Sequence, residues 1–119
     1  MNKMQIKVEG QIIQVDLNES STTKDIISKL PSSLTLEQYD SREYYIALDF
    51  HPSFDGEQIA DFSNGDVTYF PDLNTLAIFY AKEGVSSQPG LLRIGKIISG
   101  LDIFTTLNEK ISCEISFTK

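Results

Sequence analysis

Met4, Ile6 and Val8 alternate with polar residues, and after Glu9-Gly10 the alternation resumes at Ile13, Val15 and Leu17. A period of two buries one face and wets the other, so this stretch predicts a β-hairpin. A short helix is expected next. Thr22 stands in an N-cap position with Asp25 three residues on, and Ile26, Ile27 and Leu30 share one apolar face. Pro31 bars continuation and biases Leu30 out of the helical region, which limits the helix to about two turns. Leu34 and Leu36 alternate, Tyr44 to Leu48 has strand character, and His51-Pro52-Ser53-Phe54-Asp55-Gly56 reads as a loop. Ser63-Asn64-Gly65-Asp66 predicts a tight turn leading into a strand, Val67 to Phe70, that Pro71 closes. Leu76-Ala77-Ile78-Phe79-Tyr80 is continuously apolar, as suits a strand covered on both faces. A loop from Glu83 to Gly90, a strand from Leu91 to Ile98 and a second short helix from Leu101 to Leu107 follow. In that helix Leu101, Phe104 and Leu107 share a face. The last strand alternates strictly at Ile111, Cys113, Ile115 and Phe117. About eight short strands and two short helices, with turn signals between them, predict a mainly β barrel or sandwich.

The 119 residues fit a single domain spanning 1–119, and 40% hydrophobic content is enough to fill its core. No apolar run approaches the roughly 20 residues of a membrane span, and the first residues contain no apolar leader segment. One cysteine excludes an internal disulfide, so a cytoplasmic location is expected. Within the last strand, Cys113 reads as a buried core thiol. The net charge of −7 is uneven. Nine acidic residues (Glu37, Asp40, Glu43, Asp49, Asp55, Glu57, Asp61, Asp66, Asp72) face Arg42 alone in that stretch, giving −8 there and about +1 elsewhere. Without clustered Lys and Arg, a nucleic-acid role is excluded. The acidic stretch reads as solvated loops, with a docking face for a basic partner or a cation as the alternative.

No catalytic constellation emerges. His51 is the only histidine, so a two-histidine metal site is impossible. The carboxylates do not follow the alternate spacing of a calcium loop, and there is no glycine-rich phosphate loop. No cofactor or metal is called for.

Three segments carry a family resemblance. Gly65-Asp66-Val67-Thr68, Leu76 to Tyr80, and Ile94-Gly95-Lys96-Ile97-Ile98-Ser99-Gly100-Leu101-Asp102-Ile103-Phe104 resemble, in order, three motifs of the cyclophilins: the Gly-Asp-Phe-Thr turn, the following apolar strand and the Phe-Gly-Lys segment. A closer similarity is to small bacterial cyclophilin-like domains of unknown function. It rests on Leu30-Pro31, Leu34-Thr35-Leu36, Tyr39, Glu43, Gly65-Asp66, Tyr69, Pro71, Leu76, Phe79 and Tyr80. The resemblance covers nearly the whole chain. It implies a closed antiparallel cyclophilin-like β-barrel of about eight strands. Ile26, Ile27 and Leu30 would plug one end, and Leu101, Phe104 and Leu107 the other.

Departures from the cyclophilin pattern argue against prolyl isomerisation. That reaction has a barrier near 20 kcal/mol, and the family lowers it with an apolar proline pocket and an arginine directed at the imide nitrogen. The corresponding stretch here, Asp55 to Asn64, has no arginine and no methionine, and no pocket-building strand lies between Tyr80 and Gly90. The resemblance and these departures favour a non-catalytic binding module for a small molecule or peptide; an enzyme, a degenerate isomerase or one of other chemistry, is the alternative. A site is expected between Val67–Phe70 and Glu37–Glu43, with Tyr39, Arg42, Glu43 and Tyr69 as its candidate ligand-binding residues. An exposed ion pair with half-buried tyrosines is the competing structural account of those four.

Overall fold

A computed structural model describes residues 2–118. Its nine strands are β1 (Asn2–Val8), β2 (Gln11–Leu17), β3 (Ser33–Tyr39), β4 (Glu43–Ala47), β5 (Glu57–Ile59), β6 (Asp66–Phe70), β7 (Thr75–Phe79), β8 (Leu91–Ser99) and β9 (Lys110–Thr118). The one α-helix, α1, spans Ser21–Lys29, and 3-10 segments run over Pro71–Leu73 and Leu101–Thr106. No helix among the described residues is long and apolar enough to cross a membrane.

The strands pair in the order β2-β1-β9-β3-β4-β7-β6-β8, every described pair is antiparallel, and β2 pairs back onto β8. This closes the expected eight-stranded barrel. β5 is an addition that the sequence pattern did not signal; its three residues pair only with the outer part of β8, from Glu57 opposite Arg93 to Ile59 opposite Leu91. The β1–β9 pairing sets Lys3 opposite Thr118, so β1 starts and β9 finishes at the same rim.

Alternation does what a period of two requires. Met4, Ile6, Val8, Ile13, Val15, Leu17, Leu34, Leu36, Ile111, Cys113 and Ile115 all turn into one core. Tyr44, Val67, Tyr69, Leu76, Ile78, Leu92 and Ile94 complete it. The seam between β2 and β8 explains the glycine of the Gly-Lys motif. A Cβ on Gly95 would lie 2.7 Å from the Asp16 carbonyl oxygen and 2.9 Å from Val15 Cγ1, so only glycine lets the two backbones approach.

The strand registers place Asn2, Leu17, Ala47 and Thr75 at one rim and Val8, Gln11, Glu43 and Phe79 at the other. The helix α1 follows Leu17 and covers the first rim, burying Ile26, with Ile27 and Leu30 packed beside it. The 3-10 segment after β8 covers the second, where Phe104 packs against Tyr44 and Tyr80 at 5.5 and 6.0 Å between ring centroids. Both plugs are therefore as expected.

The start of α1 differs from the sequence expectation. Its N-cap is Ser20, whose hydroxyl accepts from the Thr23 amide. Thr22 is fully buried instead, donating its hydroxyl to the carbonyls of Ser53 and Asp55. Asp25, expected to serve the cap, accepts from the Ser53 amide and hydroxyl. The 50s loop is thus sewn to the helix by groups that otherwise resemble a capping box. Pro31 acts as anticipated: Leu30 is extended at φ −71° and ψ 129°.

Candidate functional site

Residues on β4, β6, β7 and β8 that alternate with the core positions point away from the barrel axis. Part of this outer face carries a second apolar layer: Phe62 stacks on Phe79 at 4.1 Å, beside Ala77 and Leu91. This is why the Leu76–Tyr80 run is apolar at every position. Next to that layer an open groove of about 360 Å³ runs along the outside of β4 and β7. Ala77 is opposite Tyr45 on one side and Thr68 on the other. Its methyl group leaves the floor low where a larger side chain would fill it. Tyr45, Phe70 and Leu91 add apolar wall, and Leu73 and Tyr39 stand at the rim, 70% and 54% exposed.

The polar end of the groove is built by the turn between β3 and β4. Asp40 and Ser41 both take positive φ, at 54° and 50°, and the Arg42 amide donates to the Tyr39 carbonyl at 3.0 Å. This turn delivers Arg42 and Glu43 to the groove as a buried pair. Arg42 Nε and Nη2 donate to the same oxygen, Glu43 Oε1, at 2.8 and 2.5 Å, and Nη1 donates to Ser86 Oγ at 2.7 Å. The guanidinium carbon also lies 5.0, 5.5 and 5.3 Å from the ring centroids of Tyr39, Phe62 and Phe79. Burial pushes the Glu43 carboxyl above its usual range, against the lowering pull of Arg42. Gln88 closes this side from the 83–90 loop, which is held by its backbone amide donating to Asp61 Oδ1 at 2.9 Å.

Of the residues nominated from sequence, Tyr39, Arg42 and Glu43 meet at this groove. Tyr69 does not join them. It points into the barrel, 4% exposed, and its hydroxyl donates to Asn74 Oδ1 at 2.6 Å. Asn74 in turn donates to the carbonyls of Leu48 and Phe50, so Tyr69 anchors the β4–β5 connection. The strand neighbour Phe70 faces the groove in its place. Ala77, Phe70, Leu73 and Gln88 were not nominated. Only the small residue inside a large apolar run, Ala77, carried a signal for them.

The acidic stretch is largely knitted into the fold. Asp66 is fully buried, accepting from Arg93 Nε at 3.0 Å, Lys96 Nζ at 3.1 Å and the Ser63 amide at 2.8 Å. Glu57 takes the other side of Arg93 at 2.5 Å, and Asp55 accepts from Ser21 at 2.8 Å. The cations thus come from β8, outside the acidic stretch. The Gly-Asp motif is a structural device here: Gly65, at φ +97°, makes the turn and Asp66 locks it to β8. No cluster of metal-ligating side chains occurs among the described residues. His51 is exposed in its loop, and the buried Cys113 thiol is pushed up to about 11.

No curated protein matches the sequence. The fold is similar to the solution structure of a hypothetical protein from Archaeoglobus fulgidus. The TM-score is 0.63 at 19% identity, over 95% of this chain and 92% of that one. A family model described as the cyclophilin-like family matches residues 6–116. With the motif-bearing turn, strand and seam all in their places on a closed barrel, the chain belongs to the cyclophilin-like family.

Proposed function

We propose that this domain is a non-catalytic binding module whose ligand, a small molecule or a short peptide, lies in the groove outside β4 and β7. The observation that carries the reading is the groove itself: about 360 Å³, with an Ala77 floor, aromatic walls and one polar end. Such volume and lining are typical of ligand sites. Phe62 stacks over the neighbouring Phe79 on the same outer face, while this stretch stays open. Nucleic acid has no part in the reading, since the cations Arg42, Arg93 and Lys96 are already paired with carboxylates. A cytoplasmic setting is part of the proposal and suits a single buried free thiol.

Amide-resolved NMR titration with a library of apolar fragments tests it. The expected shifts cluster at Tyr45, Thr75, Ala77 and Gln88, and Thr75→Trp, which fills the groove, removes them without lowering Tm. Shifts that cluster elsewhere, or that survive Thr75→Trp, would overturn the assignment.

One observation supports a second reading as an enzyme. Glu43 is a buried carboxyl with a raised pKa beside a cation in a groove, a pattern shared with general acid–base residues. Besides Arg42, the other side chains there with polar groups are Tyr39, Tyr45, Thr75 and Gln88, so a carboxylate at this site would be Glu43 alone. Conversion of a bound fragment, lost in Glu43→Gln, would favour this reading over the first.

A further inference from the structure

The two members of the buried pair are not equally available to a ligand. Arg42 is engaged on several sides at once: two of its nitrogens on Glu43 Oε1, a third on Ser86, and three aromatic rings around its carbon. An anion entering the groove would have to displace Glu43 to reach it. Glu43 is different. All its described hydrogen bonds fall on Oε1, and no buried side-chain oxygen among the described residues is without a partner. Oε2 therefore accepts no described hydrogen bond and is not sealed off completely, on a residue that lines the groove.

The surrounding charge has the same sign. Asp40, Glu43 and Asp61 stand at this end against Arg42 and Lys82, with Lys82 bound to Asp40 at 3.3 Å. Three carboxylates against two cations leave one negative charge in excess. The walls beyond are aromatic and aliphatic, and rings are favourable neighbours for an organic cation.

Resting on the groove as the ligand site, we infer that its ligand carries an ammonium group on an apolar body. The ammonium sits on Glu43 Oε2, and the body lies over Ala77 towards Phe70 and Leu73. A free arylalkyl amine and a lysine side chain in an apolar peptide share this chemistry.

Phenylbutylamine, phenylbutanol and phenylbutyrate differ mainly in the terminal group, and NMR titration of the whole chain with each gives affinity and location together. The amine is expected to bind at the groove about tenfold more tightly than the alcohol, a difference of about 1.4 kcal/mol, and the carboxylate more weakly than either. In Glu43→Gln the amine falls to the level of the alcohol while the alcohol is unchanged, which shows that the groove is still formed. If that variant does not fold, the ranking on the unaltered chain decides. Alcohol or carboxylate binding at the groove as tightly as the amine overturns the ammonium and leaves the groove reading standing. No shift at Ala77, Phe79 or Gln88 with any of the three overturns both. An acetyl-Leu-Lys-Leu amide that outbinds phenylbutylamine, and loses binding when its lysine is acetylated, assigns the ammonium to a peptide. The reverse order assigns it to a small amine.

Discussion

Glu43 and Tyr69 looked equivalent as letters and do opposite things in the fold. Tyr69→Phe removes a donor from Asn74, so it is expected to cost about 1 kcal/mol in chemical denaturation and leave the groove intact. Glu43 carries a pH dependence of its own. Its folded pKa is raised above the ordinary glutamate value of 4.5, so the fold binds its proton more tightly than the unfolded chain does. Glu43 therefore supports stability fully below about 4.5, and that contribution is lost as pH rises through the folded value. The melting temperature of the unaltered chain, relative to Glu43→Gln, should fall as pH is raised over this window. A relative rise would mean that the Arg42 pair outweighs burial. At this scale the sequence made legible that Tyr39, Arg42 and Glu43 share one turn, but not that Tyr69 points inward. Val67 and Tyr69 do alternate with Asp66 and Thr68, but Phe70 follows directly and a tyrosine suits either face of a strand, so the pattern left the direction of Tyr69 open.

The strands were legible because they alternate, and the helix because Pro31 ends it. The cap was not, because Ser20, Ser21, Thr22 and Thr23 are chemically interchangeable at an N-cap. The structure distinguishes them. Ser20→Ala is expected to cost about 1 kcal/mol through the lost cap. Thr22→Val should cost more, since it leaves two carbonyls that now accept its hydroxyl, those of Ser53 and Asp55, without that donor. Equal losses in urea denaturation would refute this division of labour. β5 escaped notice because three residues are too short for any periodicity to show. At the barrel seam, Gly95→Ala is expected to lose about 1–3 kcal/mol by overpacking, since a methyl would press on the Asp16 carbonyl. A variant as stable as the original would mean that β2 and β8 can part without cost.

For the molecule as a whole, motif order was the readable signal and surface shape was not. Closure follows from many alternating strands with no polar edge, whereas the groove depends on the outer face of β7, where Ala77 and Phe79 look like two more core residues. Charge was half legible: the acidic excess is real, but its neutralisation by β8 needed the register of Asp66 against Lys96. In a coupled peptide assay the protein is expected to show no prolyl isomerisation above background. Arg42, the cation at the groove, is already bound to Glu43 and Ser86 rather than free to meet an imide nitrogen. Clear acceleration would show that this pair opens. The facing of Lys3 and Thr118 across β1 and β9 has a topological consequence. Cα atoms of directly paired antiparallel residues are about 4.5–5.5 Å apart, so a linker of about four residues could join the chain into a circle. Cut again at the exposed Glu9-Gly10 turn, the circle becomes a permuted chain that starts at β2 and finishes with β1. Such a permutant should fold with the groove unaltered, since every residue that lines it lies between Tyr39 and Leu91, far in sequence from both the join and the cut.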